Sequence, residues 1–214
     1  VNLSTADKPA AMCFTEWLLE HQFRTAAPPR RRGPTGRIDR NPGSGYNILM
    51  SFLKRSAEEL LKKLKTACKN FYGDDLVCLA VFGSVARNTH TFQSDIDVLL
   101  IVSGLPDGRM NRIDRFTTIE AELLPAMEQV RENGWNVELS PVIRTPEEVR
   151  AGGYFYLDMV DDALILYDKD GFFANYLQEL KKRLDEYGAK KKRWQGGYYW
   201  DVKPDHKPGE VIRI

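Results

Sequence analysis

Three acidic residues and one Gly-Ser pair have the types and spacing to do chemistry in this 214-residue sequence. Asp95 and Asp97 stand two apart at the head of the apolar run VLLIV, residues 98–102. Residues two apart on a strand share a face, so both carboxylates point the same way. Like charges that close raise each other's pKa unless a cation sits between them. Oxygen ligands with no His or Cys nearby suit Mg²⁺ or Mn²⁺. An isolated D-x-D is more often a pair of turn or capping aspartates, so the pair needs support.

Gly83-Ser84 supplies it. The two residues close the apolar run LVCLAVF, and ten residues (Val85 to Ser94) separate them from Asp95. Gly83 lacks a Cβ, so backbone and ligand can approach closely there. Ser84 offers a hydroxyl, and the amides after it open a helical turn, where phosphate is welcome. One strand end thus becomes a phosphate cradle, and its neighbour carries the metal that phosphates need. A two-metal site wants a third carboxylate. Glu138, in WNVELSPVI, is the candidate. Val137 and Leu139 point to the opposite face, leaving Glu138 with Asn136 and Ser140. In an inner strand such a charge is costly unless paired or metal-bound. At a sheet edge it would simply be solvated.

Periodicity predicts the elements that position these residues. Leu49, Leu53, Leu60, Leu64 and Ala67 predict a helix over 47–70. Strands follow at 76–82 and 97–102, with one helical turn at Val85–Arg87 between them, ended by Asn88 in the left-handed conformation. A helix covers 109–133, kinked or divided at Pro125, with Gly134 as its C-cap. A third strand spans 135–143, and Pro141 puts its far end on an edge. Thr145, Pro146 and Glu148 form a strong helix start. A helix over 154–161, a strand at 163–167 and a helix over 171–187 complete the order. The tail WQGGYYWDVKPDHKPGEVIRI shows no clear period. The expected fold class is α/β (α+β): a small mixed sheet of about four strands with helices mainly on one face.

The pattern FGSVARN-x₅-SDIDVLLIV, with a later acidic residue, resembles the DNA polymerase β-like nucleotidyltransferase superfamily, and within it the minimal nucleotidyltransferase branch. The resemblance covers about residues 47–167 and rests on G-S, ten residues, D-x-D, then a third acid. Asn88 stands where these proteins commonly carry Gly, and Glu138 stands where many carry Asp. The C-terminal stretch also looks like the tail of prokaryotic minimal nucleotidyltransferases. The resemblance implies that Asp95 and Asp97 bridge two metals (Mg²⁺ or Mn²⁺). Glu138 would hold the catalytic metal and act as base. Gly83 and Ser84 would hold the β- and γ-phosphates of ATP or another nucleoside triphosphate, with Arg87 neutralising phosphate charge. The implied reaction moves a nucleoside monophosphate, AMP above all, to a hydroxyl and releases pyrophosphate. It implies a HEPN-type toxin as protein partner, with small molecules and nucleic-acid ends as further acceptors. A module of the same fold that only grips a partner is the alternative, with Trp194, Tyr198, Tyr199 and Trp200 as its anchors.

The remaining composition narrows little. The net charge of +1 gives no global pull toward nucleic acid. Basic residues cluster at Arg24, Arg30, Arg31, Arg32, Arg37 and Arg40, and again from Lys181 to Arg193. Cys13, Cys68 and Cys78 form no C-x-x-C pair, which argues against a zinc site or disulfide framework and for a reducing cytoplasm. No apolar run approaches the ~20 residues of a membrane span. Residues 1–45, dense in Pro, Gly and Arg after a possible short helix at 12–23, read as a flexible or extraneous segment, with Met50 a plausible start. The nucleotidyltransferase domain is expected over 46–170, and a C-terminal helix with an aromatic, basic tail over 171–214.

Overall fold

Two strands are apolar on both sides and therefore belong in the middle of a sheet. They are β1 (Leu76–Phe82) and β2 (Ile96–Val102). In this computed structural model, which describes residues 45–194, 197–207, 210–212 and 214, they pair antiparallel from Phe82 opposite Asp97 to Leu76 opposite Val102. β3 (Leu139–Arg144) runs parallel to β2, and β4 (Leu164–Asp168) runs antiparallel to β1. The order is β3-β2-β1-β4, a mixed sheet of four strands, as the sequence predicts. A parallel neighbour needs a long crossover. The helix over Arg109–Glu132 provides it, and Pro125 sits inside that one continuous helix rather than dividing it.

We label the helices in chain order: α1 (Gly45–Tyr72), the single turn α2 (Gly83–Ala86), α3 (Arg109–Glu132), α4 (Pro146–Arg150), α5 (Met159–Asp162) and α6 (Phe172–Glu186). The first face of the sheet buries Leu79, Val81, Val98 and Leu100 against Leu53, Leu60 and Leu64 of α1 and Phe116, Ile119 and Met127 of α3. The second face buries Cys78, Ala80, Leu99 and Ile101 against Phe173, Leu177 and Leu180 of α6, together with Tyr156 and Met159. The two longest helices do share one face. The other face is covered as well, because β1 and β2 alternate apolar with apolar and leave no wet side. α6, which the sequence reading assigns to the C-terminal extension, completes that second layer. Residues 1–44, including the expected short helix at 12–23, lie outside the described residues.

Local rules are obeyed where they matter for the site. Thr145 caps α4 through its hydroxyl, which accepts from the Glu148 amide (3.2 Å), while the Thr145 amide donates to Glu148 Oε2 (2.9 Å). Arg112 of α3 donates to both oxygens of the same Glu148 (2.9 and 2.8 Å), locking the chain after β3 to the crossover helix. The segment expected as a helix over 154–161 instead splits into a short 3₁₀ turn, Tyr154–Tyr156, and α5. Cys68 and Cys78 are free and buried, and burial pushes the Cys68 thiol up to about 12. They pack as small hydrophobes. Among the described residues, no helix is long and apolar enough to cross a membrane.

Two further strands, β5 (Lys190–Trp194) and β6 (Gly197–Asp201), form a separate two-stranded ribbon. Sequence reading missed it, because neither strand alternates polar with apolar.

Leu99 is fully buried in the second face. Leu99→Ala should cost about 2–5 kcal/mol, and a thermal melt should fall by roughly 5–15 °C. Leu124→Ala, at a site 41% exposed, should stay within about 0.5 kcal/mol of the parent.

Candidate active site

The site begins where β1 stops. Gly83 adopts φ +71°, in the left-handed region, and a Cβ placed there would overlap Asp97 Oδ2. Both facts demand glycine, and the second shows how closely the backbone of the turn approaches the acidic pair. The chain then winds through α2. The Arg87 amide donates to the Gly83 carbonyl (3.2 Å), Asn88 to Val85 (3.1 Å) and Thr89 to Ser84 (2.9 Å). Asn88 ends the turn at φ +54°, the left-handed conformation expected of it. Buried Val85 pins the turn to the core.

Strand parity places the carboxylates. Ile96, Val98 and Leu100 enter the first-face core, and Leu99 and Ile101 the second, so Asp97 looks toward the second face. Leu139 and Ile143 enter the first-face core, so Glu138 and Ser140 also look toward the second. Ile96 pairs with Leu139, and the Ile96 amide donates to the Glu138 carbonyl (2.9 Å). Asp97 and Glu138 thus occupy neighbouring chain segments at one end of the sheet and on one face. β3 is an edge strand, and Glu138 lies exposed just ahead of it. The desolvation argument for Glu138 as a buried charge in an inner strand therefore does not hold. Its claim to the site rests on parity and on its effect upon Asp95.

The electrostatics are those of an acidic group that one arginine compensates only in part. Burial first, and then the Asp95 carboxylate, hold the Asp97 carboxyl up to about 6, while Arg87 pulls the other way. Partial burial and then the Glu138 carboxylate push Asp95 above its usual value. Arg87 is shared: its Nη1 also lies 3.4 Å from Asp162 Oδ2 on α5, half-exposed. A divalent cation fits the donor chemistry of the pair, which is oxygen only and pressed toward protonation by mutual repulsion. Among the described residues no three His, Cys, Asp or Glu side chains converge closely enough to hold an ion together. The structure thus sets Asp97 against the Gly83 turn with Asp95 beside it, and Glu138 alongside but outside a closed cluster.

The loop that carries Asp95 is fixed through Ser94, the residue expected to cap or orient it, and through partners beyond the predicted site. The Thr91 amide donates to Ser94 Oγ (2.9 Å), and the Ser94 amide returns a bond to the Thr91 carbonyl (3.1 Å). Trp135 Nε1 donates to the Ser94 carbonyl (2.9 Å), and the Asn136 amide to the Phe92 carbonyl (3.0 Å). Buried His90 packs its ring on Trp135, centroids 5.6 Å apart. Arg131 grips the Val137 carbonyl through Nε and Nη2 (3.2 and 2.8 Å). The segment that leads into β3 therefore holds both the Asp95 loop and Glu138. The Trp135–Ser94 contact spans 41 residues, so no local pattern marks it. A lone Trp between a Gly cap and a polar residue is the only trace it leaves in the sequence.

Gly83→Ala should keep the fold, by circular dichroism, and displace Asp97. Divalent-cation binding, followed by the rise in melting temperature with Mn²⁺, should then be lost. The Asp97 carboxyl carries a pKa near 6 when folded against an ordinary 3.8. The folded protein therefore binds that proton more tightly than the unfolded chain, and stability from this group falls as pH rises from about 4 through 6. Melts at pH 5 and pH 7.5 should show this loss in the parent, and Asp97→Asn should remove it. Mn²⁺ should stabilise the parent more at pH 7.5, where the ion meets no competing proton.

The model of the nucleotidyltransferase domain family matches residues 61–205 of this chain. A relative from Methanocaldococcus jannaschii, provisionally named a protein adenylyltransferase, is 30% identical over 131 residues, covering 60% of this chain and 81% of the relative. Among solved structures, a toxin–antitoxin with AMP-PNP aligns at 16% identity and TM-score 0.38, over 60% of this chain and 92% of that one. The toxin–antitoxin MntA-HepT aligns at 14% identity and TM-score 0.32, over 62% and 91%. Structural likeness at that level is distant. The match to the family model spans β1, the Gly83 turn, the acidic pair, Glu138 and α6 alike, and the chain belongs to the nucleotidyltransferase domain family and is a nucleotidyltransferase.

Proposed function

We propose that this nucleotidyltransferase moves AMP from ATP to a hydroxyl on a protein, and that Asp95, Asp97, Glu138, Gly83, Ser84 and Arg87 do the work. One observation carries the reading: a half-buried Asp97 carboxyl, driven up to about 6, lies hard against the backbone of a Gly-Ser turn. A carboxylate so placed, crowded by a like charge, is stabilised in its charged form by a cation beside it. Gly83, which has no side chain, is what lets this carboxylate come so close to the backbone of the turn.

Each residue has one task in this scheme. Gly83 and Ser84 take the β- and γ-phosphates through amides and the Ser84 hydroxyl. Arg87 leaves Asp162 to meet phosphate charge. Asp95 and Asp97, together with Glu138, would hold two divalent cations (Mg²⁺, with Mn²⁺ as substitute). When bound, such ions neutralise charge on the reacting phosphate and on the leaving oxygen. The acceptor oxygen bonds to the α-phosphorus, the bond from that phosphorus to the bridging oxygen breaks, and pyrophosphate leaves. Glu138, exposed at the sheet edge, takes the acceptor's proton. The protein acceptor is supported by the name of the Methanocaldococcus jannaschii relative. A tyrosine hydroxyl on a HEPN-type partner, implied by the sequence resemblance, is the first acceptor to try.

The test uses Mg²⁺, ATP labelled in the adenosine moiety and a candidate acceptor protein, with pyrophosphate release and label transfer as readouts. Asp95→Asn with Asp97→Asn should abolish both and leave the circular dichroism spectrum unchanged. Glu138→Gln should lower the rate about 10²- to 10⁴-fold, the usual share of a positioned base. Full activity in the double variant would falsify the site. Transfer by the parent with GTP but not ATP would overturn the choice of AMP.

A further inference from the structure

The β5–β6 ribbon carries a pattern that nucleotide transfer does not use. Lys190, Lys191, Lys192 and Arg193 are consecutive and exposed along β5. Trp194, Tyr198 and Tyr199 are 53%, 58% and 43% exposed. Cross-strand contacts sort these residues onto two faces. Trp194 meets Tyr199 edge to face, centroids 6.4 Å apart. Lys191 and Arg193 lie over the Tyr198 ring, 5.9 and 6.0 Å from its centroid. By the alternation of a strand, Lys192 joins the Trp194 face. Each face therefore presents an aromatic ring beside at least one cation.

Edge lysines that ward off strand pairing would explain the charges, and cross-strand pairs would explain the rings. Neither reason explains why rings this large stay about half in water, with two cations over the Tyr198 ring on one face. Apart from the rings, β5 offers only cations, so the ribbon does not suit an apolar protein surface. It suits a polyanion that carries flat, unpaired rings. From this we infer that the ribbon binds single-stranded nucleic acid, with bases stacking on Trp194, Tyr198 and Tyr199 and phosphates meeting the cations of β5. The inference rests on the ribbon alone and is independent of the transfer site.

The test is fluorescence anisotropy of the full chain with a labelled single-stranded RNA of about 12 nucleotides, within the range such platforms cover. Binding should weaken with salt. Lys191→Gln with Arg193→Gln should reduce the slope of log affinity against log salt by about 1.4, or 0.7 per lost phosphate contact. Trp194→Ala should weaken binding about tenfold, and Trp194→Phe should stay near the parent, because a ring remains. If circular dichroism shows that Trp194→Ala disrupts the fold, the Lys191 and Arg193 variant, with every ring intact, decides by its slope. No binding at low salt overturns the inference. So does equal binding of a duplex or of polyglutamate matched in charge, since neither offers free bases. Parent-like affinity in both Trp194→Ala and the charge variant would place any binding elsewhere on the chain.

Discussion

The close approach of the Asp97 carboxylate to the Gly83 backbone is the constraint on which the rest of the site depends. A side chain at position 83 would overlap Asp97 Oδ2, and the left-handed backbone there disfavours any side chain in any case. The contact follows from the register of β1 and β2. Because Phe82 faces Asp97, the residue after β1 must turn directly across the head of β2. One register therefore sets the tight turn, the partial burial of Asp97 and the crowding of Asp97 by Asp95. A slip of one residue would move Asp97 to the opposite face, among Val98 and Leu100, and the site would not exist.

Holding that register is the task of the surrounding layers. The two central strands have no wet face, and each side is closed by helices, α1 and α3 on one and α6 on the other. The costly element, a half-buried carboxyl with a like charge beside it, sits at the strand ends where this packing stops. Its instability is local and is offset by burial elsewhere. That division suits a binding site, because the unfavourable charge is what a cation relieves.

Much of this was legible in the sequence, and the reasons differ by element. β1 and β2 are short apolar runs bounded by Gly and Asp, so their type and length can be read directly. Asn88 and the Thr145 capping box follow from the local preferences of single residues, and both take the expected conformation. The edge position of β3 was hinted at by Pro141, but the neighbours of a strand are a matter of tertiary pairing. The second helical layer was underestimated because helices of one amphipathic period do not state which face they cover. Trp135 was invisible as a support of the Asp95 loop, since its partner lies 41 residues away. The β5–β6 ribbon was missed because a strand with cations and rings on both faces has no two-residue period to detect.

The three carboxylates differ in freedom, and that difference is the last consequence of the fold. Asp97 is wedged between the Gly83 turn and the sheet. Asp95 sits at the end of a loop held at the Ser94 carbonyl by Trp135. Glu138 precedes an edge strand and is exposed, its carbonyl accepting from the Ile96 amide. A site built this way keeps two acids in fixed positions and leaves the third at the open rim. A long side chain at the rim suits that place, since glutamate reaches one methylene further than aspartate. In the proposed scheme it also lies on the flank left for an acceptor, since β1 and the Gly83 turn lie on the other side of Asp97. The replacement of Asp by Glu at this position is thus consistent with the geometry: the residue furthest from the rigid pair carries the longer arm.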